Sequence, residues 1–395
     1  MYNSIVIRNG EVSIKGINRP VFEKRLIKNI RRAFHGLEGY DVYKGDGRIY
    51  VDFEEEVGAE IMRRLKNVFG VMSFSPAIKT ESGYQLAKDT ALKHYNELVE
   101  RTGATSFKVT ARREDKSLPL TSPEMSRDIG AYILTHSQKP LKVDVKDPDI
   151  HLFVEVREQN NIIYSEKEQG VGGLPVGVNG RAMMLLSGGI DSPVATYMIA
   201  KRGLWIEAVH FHSFPFTSEK AKEKIERLAK QLSLYTEGIR IHMVNLLPIQ
   251  TEISEKCPQE LMTILSRRFM MRIAEKLALE TGCGCLATGE SIGQVASQTI
   301  EGLQATNSVV REVPVFRPLI SFDKEDIINE AKKIDTFDIS IIPEEDCCTV
   351  CLPKRPATKP KADKIRKAEE NLDIDSLVAS AIEEREIREV GMLKW

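Results

Sequence analysis

The sequence predicts an α+β half of alternating strands and helices, followed by a doubly wound α/β domain built on a parallel sheet. Three observations carry this reading. The apolar run Ala182–Leu186 leads into Ser187-Gly188-Gly189-Ile190-Asp191-Ser192, then a helical pattern over 193–203 and a second strand over 205–211, which is a βαβ unit. Short strand and helix patterns alternate up to about residue 165. Between the halves, Gly170–Gly180 holds five glycines and a proline, the clearest linker in the chain.

In the first 60 residues the pattern is strand Ser4–Arg8, helix Pro20–Phe34, then Tyr40–Tyr43 and Arg48–Phe53 as a hairpin around Gly45-Asp46-Gly47. Helices on one face of a small antiparallel sheet would make an N-terminal ferredoxin-like unit. Residues 61–168 repeat the alternation, with helices at Gly58–Phe69, Tyr84–Thr102 and Ser122–Ser137. Strands are expected at Ser106–Arg112, Lys142–Asp144, His151–Arg157 and Asn160–Glu166, the last two closing a hairpin. The stretch Ser106–Arg113 alternates apolar and polar residues, which predicts one buried face and one basic face. Lys108, Arg112, Arg113 and Lys116 are the RNA-contact candidates there, against the simpler role of keeping a strand soluble. After a linker at 169–180, elements are expected at 182–186, 193–203, 205–211, 219–234, 239–246, 258–280, 284–288 and 324–333 within a domain spanning 181–395. Ligands of such sheets bind at the strand C-termini.

The 395 residues are 42% hydrophobic and 29% charged with a net charge of −1, ordinary values for a soluble chain of two or three domains. No run approaches ~18 apolar residues, so no membrane span is expected. Arg8, Glu11 and Lys15 interrupt any signal-peptide core, which leaves the cytoplasm as the expected location. Charge is unevenly spread: residues 1–35 carry eight Lys/Arg against Glu11 and Glu23, and Lys354–Lys367 carries seven against Asp363. Such local excess suits a polyanion, or a solvated helix face. All six cysteines fall after residue 256, and Cys347-Cys348-Thr349-Val350-Cys351 groups three of them as metal ligands or reactive thiols.

The loop is the chemical centre. Two glycines are expected to let the backbone turn tightly, with Ser192 as N-cap and Pro193 at the first helical position. Free N–H groups and the helix dipole then favour phosphate over a turn that merely ends a core strand. A Walker loop needs Gly-Lys-Ser/Thr, absent here. SGGxDS instead resembles the PP-loop of ATP pyrophosphatases, which cleave ATP between its α and β phosphates. That resemblance implies that Ser187, Gly188, Gly189, Asp191 and Ser192 hold the departing pyrophosphate.

Across nearly its whole length the chain resembles the tRNA 4-thiouridine synthetase (tRNA sulfurtransferase) family, which is also linked to thiamine thiazole formation. The resemblance lies in Gly10-Glu11-Val12-Ser13-Ile14-Lys15-Gly16 with Asn18-Arg19, Ala111–Lys116, the glycine linker, the loop, and Pro343-Glu344-Glu345-Asp346-Cys347-Cys348 in that order. It implies a THUMP RNA-binding domain over 61–168 and a PP-loop domain after the linker. It implies ATP contacts at Leu185, Leu186, His210, Phe211, Arg267, Gly289 and Gln298, with Asp191 orienting Mg²⁺ or pyrophosphate. It implies a reaction in which ATP adenylates a tRNA uridine, at position eight, and a persulfide sulfur displaces AMP. Cys348 best matches the sulfur-carrying cysteine, with Cys347 second, and Lys354 and Arg355 would favour its thiolate. The implied partners are tRNA, a cysteine desulfurase as sulfur donor and a thiocarboxylate-forming carrier protein. A homodimer is expected, because the tRNA acceptor end and the modified uridine lie too far apart for one subunit.

Some members carry a C-terminal rhodanese-like domain, for which the sequence to Trp395 has no room. Cys351 or Cys347 is therefore the expected resolving thiol. Members with an iron–sulfur cluster have Cys-x-x-Cys before an arginine pair; Thr263 and Ser266 stand there ahead of Arg267-Arg268. Cys348-x-x-Cys351 has metal-ligand spacing without an evident second pair, so no metal ligand is assigned. The competing readings are another PP-loop enzyme acting on a different base or a carboxylate, and a non-catalytic ATP- and RNA-binding module. The cysteine group speaks against the latter.

Overall fold

The structure, a computed structural model, describes residues 2–45, 47–114, 116–137, 139, 142–295, 298–344, 359 and 361–391. It divides into two compact units, Met1–Gly173 and Leu174–Trp395, the boundary falling inside the glycine-rich segment.

The first unit contains β1 (Ser4–Arg8), α1 (Arg19–Ala33), β2 (Tyr40–Gly45), β3 (Arg48–Phe53), α2 (Glu55–Leu65), β4 (Ser73–Glu81), α3 (Tyr84–Thr102) and β5 (Ser106–Arg113). It continues through α4 (Ser122–His136), β6 (Lys142–Val143), β7 (Ile150–Val156), β8 (Asn160–Tyr164) and β9 (Glu168–Gln169). All nine strands join one sheet in the order β2-β3-β1-β4-β8-β7-β5-β6, with β9 also on β4. Helices α1 and α2 cover Ile5, Ile7, Val51 and Phe74, while α3 and α4 cover Phe107, Leu152, Val154 and Ile163. The alternate residues Val6, Tyr50, Ala77, Ile162 and Tyr164 form a smaller core, as a period of two requires.

Strand β4 was not among the expected elements, and within it lies Pro76, which cannot donate to a ladder. The structure accommodates it in a gap. On one side β4 pairs with β9 through Ser73 and Phe74, and with β8 only from Ala77 onward. Through β4 the two expected N-terminal subdivisions share a single sheet.

The second unit contains β10 (Arg181–Leu185), α5 (Asp191–Lys201), β11 (Trp205–His212), α6 (Glu219–Leu232), β12 (Ile239–Asn245), α7 (Leu247–Lys256), α8 (Met262–Thr281) and β13 (Cys285–Ala287). After these come α9 (Ile300–Asn307), β14 (Val315–Phe316), α10 (Lys324–Lys333), α11 (Phe337–Ser340), α12 (Ala362–Glu369), α13 (Ile374–Glu383) and β15 (Glu386–Val390). The sheet order is β14-β13-β10-β11-β12-β15. Its first five strands are parallel, as expected of a doubly wound sheet, but β15 runs antiparallel on β12. The sheet is therefore mixed, with a charged, largely exposed edge strand that discourages further pairing. The helix expected at 258–280 is α8, which begins at Met262 after a 3-10 turn at Gln259–Leu261, while α7 before Pro258 was not among the expected elements. The core gathers on the α8 face around Phe269, Ile273, Leu277, Val209 and Val244. No described helix is long and apolar enough to cross a membrane.

Candidate functional site

The carboxyl ends of β10, β13 and β14, three neighbours in the second sheet, carry the loops that meet at the site. After β10 the chain passes through Leu186–Ile190 into α5, whose first residue is Asp191. Ser192 therefore lies in the first turn and is not the N-cap; Ile190 is, with no side-chain capping bond. The Ser192 hydroxyl closes the loop instead. It accepts from Ser187 N at 2.9 Å and donates to Ser187 O at 3.0 Å, and the two hydroxyls lie 3.1 Å apart. The glycines differ from expectation too, since neither Gly188 nor Gly189 has a positive φ. A Cβ on Gly189 would meet nothing closer than Ser187 Oγ at 3.7 Å, so glycine there leaves bare backbone in a cradle. That suits a phosphate approaching main-chain N–H groups.

Gly289 is needed for a different reason. A Cβ there would lie 2.7 Å from Ser192 N and 2.8 Å from Asp191 C. Its first effect is thus to let the segment after β13 press against the start of α5.

Two clusters of charged side chains sit around this contact. Asp191 Oδ1 accepts from Lys324 Nζ at 2.6 Å, Lys324 being the first residue of α10. Glu290, buried next to Gly289, binds Arg267 from α8 through Oε1. Through Oε2 it accepts from Arg317 Nε at 2.8 Å and Thr288 Oγ1 at 2.9 Å. The adjacent Arg268 points elsewhere. Its guanidinium forks onto Glu369 at 2.8 and 2.7 Å and donates to Ala305 O, which makes it structural. Lys324, Glu290 and Arg317 escaped the sequence reading, since their partners lie far away along the chain.

His210 and Phe211 lie near the end of β11, just before its last residue His212, and both are buried. Burial pushes the His210 imidazole down to about 4, so it is neutral at pH 7. Its Nδ1 lies 2.9 Å from the Leu186 carbonyl, so Nδ1 carries the proton and Nε2 is an acceptor. Phe211 belongs to the α8-side core. Leu185 is half-buried and Leu186 buried, the latter donating its N–H to Val209 O. Gln298 lies beyond β13, where its main-chain carbonyl accepts from Gly293 N at 3.0 Å.

Cys347, Cys348 and Cys351, with Lys354 and Arg355, lie outside the described residues. Cys257, Cys283 and Cys285 are free and buried. Burial raises all three thiols, Cys285 to about 11, so these are inert packing residues.

In the first unit, Lys108 and Arg112 share one pleat of β5, while Arg113 lies on the other with buried Phe107 and Ala111. Arg113 is committed to the carbonyls of Leu118 and Leu120 at 3.0 and 3.5 Å, so it does not join the basic face. Lys108 donates to Val145 O at 3.3 Å, Arg112 pairs with Glu114, and Lys116 is exposed.

The chain is similar to known proteins along nearly its whole length. Residues 177–374 match the model of the thiamine biosynthesis protein (ThiI) family, 4–75 the ThiI ferredoxin-like domain and 83–166 the THUMP domain. A probable tRNA sulfurtransferase of Alkaliphilus metalliredigens (strain QYMF) is 52% identical over 392 residues, covering 99% of both chains. Another from Alkaliphilus oremlandii (strain OhILAs) is 50% identical over 393 residues, covering 99% of this chain and 100% of that one. The crystal structure of a 4-thiouridine synthetase–RNA complex with bound ATP superposes with a TM-score of 0.91 at 38% identity, over 99% of this chain and 100% of that one.

Proposed function

The chain belongs to the ThiI family of tRNA sulfurtransferases, and from that premise we propose that it converts a tRNA uridine, at position eight, to 4-thiouridine using ATP. One observation carries the reading at the level of chemistry. A hydroxyl-closed Gly-Gly loop, the Asp191–Lys324 pair and the Arg267–Glu290–Arg317 group converge at the carboxyl edge of one parallel sheet.

The uridine 4-oxygen is a poor leaving group. Its attack on the α-phosphorus of ATP expels pyrophosphate, which the N–H groups of Gly188–Ser192 and the α5 dipole are suited to hold. His210, neutral and fixed by Leu186 O, offers Nε2 to an adenine amine. A persulfide on Cys348 then attacks C4, and AMP departs with the former carbonyl oxygen. The thiolate of Cys347 or Cys351 next attacks the Cys348 sulfur, leaving the transferred sulfur on uridine and a disulfide that an external thiol reopens. These cysteine roles rest on the sequence pattern. Asp191, a single carboxylate beside bare backbone, fits Mg²⁺ held chiefly by phosphate and water oxygens, where the cation would neutralise phosphate charge.

Lys108, Arg112 and Lys116 are the proposed tRNA contacts, with Arg113 holding the loop beside them. A cysteine desulfurase is the proposed sulfur donor, and a thiocarboxylate-forming carrier protein a second acceptor for thiazole synthesis. The setting would be the cytoplasm, and the working form a homodimer in which one copy presents tRNA to the other's loop.

The test is pyrophosphate release from ATP with and without unmodified tRNA. Release should require tRNA and survive Cys348→Ser while 4-thiouridine formation is lost; Asp191→Ala should slow release about a hundredfold. Release indifferent to tRNA but triggered by a small acid or a carrier protein would overturn the reading. In the same assay, mixing Asp191→Ala chains with chains lacking Lys108 and Arg112 should regain activity if the dimer acts across subunits.

A further inference from the structure

We propose that Arg317 is a second phosphate-binding arginine of the nucleotide site, held beside Arg267 by Glu290 so that one guanidinium nitrogen is kept for the phosphate chain. The proposal rests on the ATP-dependent reading above and extends it to a residue outside the loop.

Position comes first. Arg317 directly follows β14, and Glu290 lies three residues beyond β13; these strands are parallel neighbours, with β10 and its loop next in the sheet. Gly289 presses on the backbone of Asp191 and Ser192, so the next residue, Glu290, is anchored at the loop itself.

Hydrogen bonding comes second. Arg317 Nε donates to Glu290 Oε2 at 2.8 Å and Nη1 reaches Asn307 Oδ1 at 3.3 Å, whereas Nη2 is buried with no partner among the described residues. A buried charged donor left unpaired is costly, and the cost is removed when an anion accepts from it. Two further buried atoms in the segment after β13, Gln294 Nε2 and Gln298 Oε1, have no partner among the described residues.

Charge comes third. Arg267 and Arg317, with 18% and 14% of their side chains exposed, share the single carboxylate of Glu290. Both guanidiniums therefore meet Glu290 in a largely buried place, and Asp191 is already matched by Lys324. A guanidinium fork whose one edge is fixed by a carboxylate has the geometry to bind phosphate with the rest.

The experiment is equilibrium binding of ATP and of adenosine to the full chain without tRNA, for wild type, Arg317→Gln and Arg317→Lys. Arg317→Gln should weaken ATP at least about tenfold while leaving adenosine unchanged, since only the phosphates meet Arg317. Arg317→Lys, which keeps the charge and loses the fork, should fall between. Unchanged ATP affinity in Arg317→Gln, or equal weakening of ATP and adenosine, would overturn the proposal; the second result marks a structural residue. Should Arg317→Gln fail to fold, the lysine variant carries the same ATP-to-adenosine comparison. A wild-type chain that binds no ATP would remove the ATP reading as well, which separates the two failures.

Discussion

At position 289 the absence of one methyl group sets how closely two loops approach. Because a Cβ would stand 2.7 Å from Ser192 N, Gly289→Ala must push the segment after β13 away from α5 and carry Glu290 with it. Tenfold or slower pyrophosphate release, with tRNA affinity unchanged in a filter-binding assay, is the expected result. Full activity would show that the two loops can separate without cost. Residue identity was legible at this scale where a motif is local. Ser187–Ser192 announced a phosphate loop, yet the function of Ser192 as the loop's clasp instead of a helix cap depended on where α5 begins. Lys324 and Arg317 carried no signal, because a lysine 133 residues from Asp191 becomes its partner only when α10 is brought to the loop. Arg113 read as one of a basic set, but pleating turned it away from Lys108 and Arg112.

Among elements, β4 shows how a local rule yields to a tertiary arrangement. Pro76 cannot donate to a ladder, and the gap between β8 and β9 accommodates it. The same pairing brings β3, β7 and β8 into one sheet, where Glu155, 2% exposed, binds Arg48, Arg157 and Tyr164. Removing the anion of such a buried network takes a buried carboxylate partner from both Arg48 and Arg157. Glu155→Gln should therefore lower stability by about 3 kcal/mol, read from urea unfolding. A loss below about 1 kcal/mol would mean that water already reaches these charges. In the second sheet, β15 was not among the expected elements, and its residues are mostly charged. Only its pairing to β12 makes it a strand.

For the whole molecule, buried histidines in both units set a common pH response. Burial lowers His94, His210 and His212 each to about 4. The unfolded chain, with histidines near the usual 6.5, then binds more protons than the folded one between those values. Stability should be full above about pH 6.5 and fall as pH drops toward 4, seen as a falling urea midpoint; a midpoint constant from pH 7 to 5 would contradict it. The sequence by itself determined most of the element types, the glycine-rich boundary, the loop's motif and the family, because these depend on neighbours within a few residues or on order along the chain. Tertiary structure alone decided that β4 unites the N-terminal strands in one sheet. It also decided that Glu290 couples two arginines and that Lys324 meets Asp191. Such contacts join residues scattered along the chain, and no local periodicity encodes the distance between them.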